Sequence, residues 1–259
     1  MTTNLDVNDR VTQMRWQLSA VTAELFKRWP LIELAPRDKP VAGFSIAMLS
    51  RIANWLGTLI CLEPPQRFVQ AYAVAARAIL ESTVDLVLLV SDPTRITKYE
   101  WWEASAKLLA AEEWGANQPA EAARWVAANE AVVRENRRRL WSTDRHKTRW
   151  TGNSLRFDIR EADRVRDMHL TPNIQMIAHL NWFVHGSGIL VNVLNDETLA
   201  EILHITQFSC YQCTMPALLL TEEATGIGGR ASLFDVAKLD QRLKIEAQQA
   251  QLRAIASTK

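Results

Sequence analysis

The stretch Pro64–Ser91, PPQRFVQAYAVAARAILESTVDLVLLVS, decides the fold class. Its two prolines can open a helix, because the amide donor that proline lacks is one the first turn leaves unbonded anyway. Beyond them, Val74, Ile79, Leu80, Val84, Leu86, Val87, Leu88 and Leu89 spread around the whole helical circumference. A helix that is apolar on every side belongs inside a protein, so this segment is expected at the centre of a bundle. Apolar residues recur at three- and four-residue spacing along most of the chain, and no convincing alternating strand pattern appears. Nine Gly and nine Pro in 259 residues also favour long helices over turn-rich β-structure. The expected architecture is all-α, a single-domain bundle of about eight or nine helices over residues 1–259.

Working outward, a first helix is expected from about Asn8 to Trp29, ending before Pro30, and the Pro36–Pro40 stretch reads as a linker. A second reaches about Leu62, so residues 8–62 form the N-terminal helices. Asp92-Pro93 restarts the chain as a fourth helix carrying Trp101 and Trp102, and a fifth follows Pro119 and ends in the basic run Arg134–Arg139. Trp141–Asn153 reads as a loop. Ser154 can cap a short charged helix to about Asp167, and Thr171-Pro172 opens another that passes through Asn181 and His185 to Asn195. Asp196 caps a long helix to Thr225, kinked at Pro216 and closed by Gly226, Gly228 and Gly229. These elements make residues 64–225 the central bundle. Residues 232–256 form a last helix with Val236, Leu239 and Leu243 on one stripe, which packs across the bundle or joins a second subunit as a homo-oligomer.

The composition, 48% hydrophobic and 23% charged, is too apolar for a disordered chain. Thirty Lys+Arg against 29 Asp+Glu give no overall pull toward nucleic acid, membrane or acidic partners, so any such attraction must come from a local patch. Three Cys exclude a disulfide scaffold. The start, MTTNLDVNDR, has no basic and apolar leader, which points to a cytoplasmic protein. Val41–Leu62 is interrupted by Arg51 and Asn54 and suits a bundle helix better than a membrane span. Cys210 and Cys213 spell C-x-x-C, but a helical setting without a second such pair favours core thiols over a redox or zinc site.

Two polar stripes cross these apolar helices. Arg77, Glu81 and Asp85 recur at intervals of four and lie within about 80° of one another. On a buried helix they need pairing, either as a structural ion network or as the lining of a polar cavity. Asn181, His185, Gly188 and Asn192 form the second stripe, within about 60°. Gly186 and Gly188 cost helix stability, which suggests close approach of another backbone or a ligand beside His185. His185 suits proton transfer near neutral pH, with Asn181 orienting it; the alternative is a core histidine bonded to Glu81 or Asp85.

The one strong charge bias lies between Arg134 and Trp150. Arg134, Arg137, Arg138, Arg139, Arg145, Lys147 and Arg149 stand against Glu135 and Asp144, with Trp141 and Trp150 interleaved. Guanidinium groups pair with phosphates and aromatic rings stack on unpaired bases, so the segment suits RNA or a nucleotide phosphate. A solvated helix end whose cations meet the negative dipole gives the same pattern.

The order R-x-x-x-E-x-x-x-D (Arg77, Glu81, Asp85), W-x-G-x-S (Trp150, Gly152, Ser154) and N-W-F-V-H-G-S (Asn181–Ser187) resembles an uncharacterised bacterial family of all-helical proteins. A histidine after polar residues late in a helical bundle is also similar to HEPN domains, many of them dimeric ribonucleases with an arginine shortly before the histidine. That resemblance implies an RNA-directed protein, a metal-independent ribonuclease of a defence or toxin system. His185 would be its general acid/base, Asn181 its orienting group and Arg77 the phosphate stabiliser, with Glu81 and Asp85 completing the set. The positions where such a motif carries arginine hold Ala178, His179 and Leu180. Glu201 and His204 spell E-x-x-H, the helical spacing of di-metal carboxylate bundles, but the second such motif is missing, and neither metal nor cofactor is expected. The other function class is a non-enzymatic helical scaffold or small-ligand binder whose polar stripes pair inside the core.

Overall fold

The structure, a computed structural model, describes residues 6–103, 106, 119–128, 130–131, 149–175 and 195–227. Every regular element among them is helical. The long helices are α1 (Val7–Glu33), α2 (Pro40–Cys61) and α3 (Val69–Ser91), followed by α4 (Pro119–Ala128), α5 (Leu155–Arg166) and α6 (Asp196–Thr225). Single 3-10 turns at Pro65–Phe68 and Pro93–Arg95 flank α3, and residues 96–103 are helical. The C-terminal segment 232–256 lies outside the described residues.

Local chemistry sets the ends. Ser154 accepts the Phe157 amide at 3.4 Å and starts α5. For α6 the capping side chain is Asn195, which accepts the Thr198 amide at 2.8 Å, rather than Asp196, the first helical residue. Gly226, at φ +71°, closes α6 in a left-handed turn that costs glycine little. One proline departs from expectation. α1 continues through Pro30 to Glu33, since proline removes one amide donor and the Leu34 amide still bonds the Pro30 carbonyl at 3.3 Å. α6 runs through Pro216 to Thr225, the end expected for it.

α3 is the centre, as its all-round apolar surface requires: Ile79, Leu80, Val84, Leu86, Val87 and Leu89 are fully buried. α6 packs against α3, α1 and α2. α1 and α6 run in the same direction, with His204 beside Arg10 near one end and Arg28 bonded to Glu222 at 2.7 Å near the other. Several hydroxyls are admitted to this core because they return their proton to the preceding turn. Thr22 donates to Leu18, Ser82 to Ala78, Thr214 to Cys210 and Thr221 to Ala217, at 2.6–2.8 Å.

α2 is long and apolar enough to cross a membrane, and 44% of its apolar window is buried in the bundle. Its Ile52, Leu56 and Leu59 are fully buried. An open groove of about 450 Å³ follows its Ser50, Arg51, Asn54, Trp55 and Thr58.

Candidate functional site

The polar stripe of α3 divides. Arg77 and Glu81, one turn apart, pair with each other at 3.0 Å, both half-buried. Arg77 keeps one terminal nitrogen buried without a hydrogen-bond partner. Asp85, a turn further on, lies deeper and reaches across to the turn that precedes α5.

At that turn Arg149 is a bridge. Its Nη2 donates to Asp85 Oδ1 at 2.5 Å and its Nε to Asp158 Oδ2 at 2.6 Å. The Trp150 indole donates to the same Asp85 oxygen at 2.8 Å. Thr151 donates to Asp158 Oδ2 at 2.8 Å, and Asn153 Nδ2 to Asp158 Oδ1 at 3.4 Å. The side chain of Asp158 has no exposed surface, and that of Arg149 is 10% exposed. One planar guanidinium therefore bridges two buried carboxylates, the geometry for which arginine is better suited than lysine.

An aromatic wall closes this network. Tyr99 meets Phe44 edge-on at 4.4 Å and stands 5.8 Å from both Trp102 and Trp150. Burial pushes the Asp85 carboxyl up to about 6, against the opposing pull of Arg149 and the Trp150 hydrogen bond. Burial, then the Asp85 charge, pushes the Tyr99 phenol up. For Arg149 burial works against the cation, but Asp85 and Asp158 more than offset it and its pKa is raised. The aspartate thus sits in a dry environment that the arginine compensates only in part.

Further ion pairs bolt α5 to the end of α3. Arg95 bonds Glu161 at 2.8 Å and Asp92 at 2.9 Å. Arg166 forks onto Glu223 of α6 at 2.8 and 2.9 Å and reaches Ser91 at 3.1 Å. Asp163 accepts the amides of Leu170 and Thr171 at 2.7 and 2.6 Å, holding the chain as it leaves α5.

The expected site residues are thus brought together only in part. Arg77, Glu81, Asp85, Arg149 and Trp150 form one neighbourhood. Trp150, read from sequence as a ring to stack on bases, is 2% exposed and bonded inside the core, and Arg149 is engaged by two aspartates. His185, Asn181, Arg134, Arg137, Arg138, Arg139, Arg145 and Lys147 lie outside the described residues. Sequence reading missed Asp158 and Tyr99. Asp158 follows the Ser154 cap at the fourth position, where an acid in the first helical turn was the one available signal.

Glu201 is exposed and His204 half-buried, its pKa lowered by burial and then by Arg10. No group of three metal-binding side chains occurs among the described residues. Gln207 is buried in α6 with both ends of its amide unpaired.

Cys210 and Cys213 are fully buried one turn apart on α6. Burial raises both thiols, Cys213 to about 12, so neither supplies thiolate at neutral pH. Cys61 is exposed at the end of α2. A disulfide-exchange reagent is therefore expected to titrate one thiol per native chain and three after denaturation. Fast labelling of two or more in native buffer would show that α6 opens.

Compared with protein families, curated proteins and solved structures, the chain matches none of them.

Proposed function

We propose that the chain works as a non-enzymatic helical scaffold in which the α3 stripe is an internal clasp. The supporting observation is the engagement of Asp85: the most deeply buried acid of that stripe spends its Oδ1 on both Arg149 and the Trp150 indole, two side chains that belong to the packed turn before α5. Structural ion networks and active sites perturb carboxylates alike, and partners drawn from packed core side chains favour the former.

The RNA-directed reading, a ribonuclease using His185 and Asn181, predicts a different outcome in one experiment. The purified chain and its His185→Ala variant, matched for helicity by circular dichroism, are incubated with a mixed RNA pool. The expected result is that neither cleaves. Cleavage by the parent chain and its loss in the variant would overturn the scaffold reading and place acid/base chemistry on the histidine stripe.

A further inference from the structure

α5, LRFDIREADRVR, sorts its charges by direction. Each acid faces inward or along the chain and is already engaged: Asp158 by Arg149, Glu161 by Arg95, Asp163 by the amides of residues 170 and 171. Arg166 is engaged by Glu223. The apolar residues Leu155, Ile159 and Ala162 are buried against the bundle. Arg156, Arg160 and Arg164 remain on the outer face, all exposed and without an ion pair to any described residue. Their four-residue spacing stacks them at intervals of about 6 Å along the axis. Phe157, 55% exposed, stands among them, one turn before Arg160 and two before Arg164.

A row of guanidinium groups whose neighbouring acids are engaged elsewhere, Asp158 buried and Glu161 and Asp163 half-buried, presents a local positive stripe on a chain of net charge +1. An exposed ring inside that stripe adds a stacking surface. We propose that the outer face of α5 is a docking surface for the phosphate backbone of single-stranded nucleic acid, with Arg156, Arg160 and Arg164 on successive phosphates and Phe157 against an unpaired base. Arginine forks match phosphate oxygens, and base stacking on an aromatic ring is tolerant of sequence. An anionic membrane fits less well. The apolar side of this helix is already consumed by the bundle, and Phe157 and Val165 alone remain exposed for insertion. The inference concerns binding and stands apart from the scaffold reading, which the cleavage comparison tests.

The test uses the full chain and fluorescein-labelled oligouridylate, with anisotropy read at several salt concentrations. The triple variant Arg156→Ala, Arg160→Ala, Arg164→Ala alters exposed positions only. It is expected to bind at least tenfold more weakly, with the slope of log K against log salt reduced by about 2, from three lost phosphate contacts. Phe157→Ala is expected to weaken binding about fivefold or more while leaving the salt slope unchanged. A control variant lacking Arg37, Lys39 and Arg67, exposed elsewhere, should bind as the parent does. Equal binding by parent and triple variant, or an equal loss in the control, overturns the proposal. So does absence of RNA binding together with α5-dependent sedimentation on phosphatidylserine–phosphatidylcholine vesicles.

Discussion

Replacing Arg149 with alanine is expected to destabilise the protein by about 3–5 kcal/mol, the range for breaking a buried ion pair from one side. The variant strands two carboxylates, Asp85 and Asp158, in a site that excludes water, and also frees the turn that leads into α5. Arg149→Lys keeps the charge but loses the fork that reaches both aspartates, so an intermediate loss is expected. Urea unfolding followed by far-ultraviolet circular dichroism measures both. A loss under about 1 kcal/mol for alanine, typical of an exposed pair, would show that the clasp does not hold the bundle.

The second large effect is a dependence on pH with an unusual sign. Asp85 titrates at about 6 in the folded chain against 3.8 ordinarily. The folded state therefore binds this proton more tightly than the unfolded state does. Its contribution to stability is complete below 3.8 and lost as pH rises through 6, a total of about 3 kcal/mol. Asp85→Asn keeps an oxygen for the Trp150 indole and cannot titrate. Relative to the parent, it is expected to gain about 1–2 kcal/mol between pH 5 and pH 7.5. Unfolding curves at the two pH values decide this, and a constant difference between the proteins would refute it. Both predictions share one cause: the aspartate costs more to desolvate than Arg149 returns, and removing Arg149 takes even that return away.

The centre of the fold was legible because α3 carries large apolar residues on every side, a pattern with no alternative but burial. The start of α5 was legible from Ser154, whose hydroxyl has one obvious use before an amphipathic run. The partner of Asp85 was not. Arg149 and Trp150 follow a dense run of cations, and charge density along a chain does not tell which way each side chain points. The bend at residues 149–154 turns these two inward, toward an aspartate 64 positions earlier. The outer face of α5 was hidden for the opposite reason. Arg156, Arg160 and Arg164 are interleaved with Asp158, Glu161 and Asp163, so the segment looks nearly neutral until folding engages each acid elsewhere and leaves the three arginines exposed.

The parallel seating of α1 on α6 has a consequence for biosynthesis. The Arg28–Glu222 pair joins residues 194 positions apart, and at ordinary elongation rates the ribosome needs about 10–40 s to span that distance. During much of that interval the buried α1 residues Val11, Leu18, Val21 and Leu25 are made while α6, one of the two helices packed on α1, is not. The nascent chain carries part of its α1 apolar stripe uncovered until α6 is made, which makes it a natural client for a chaperone at the exit tunnel and the docking of α6 a late step of folding.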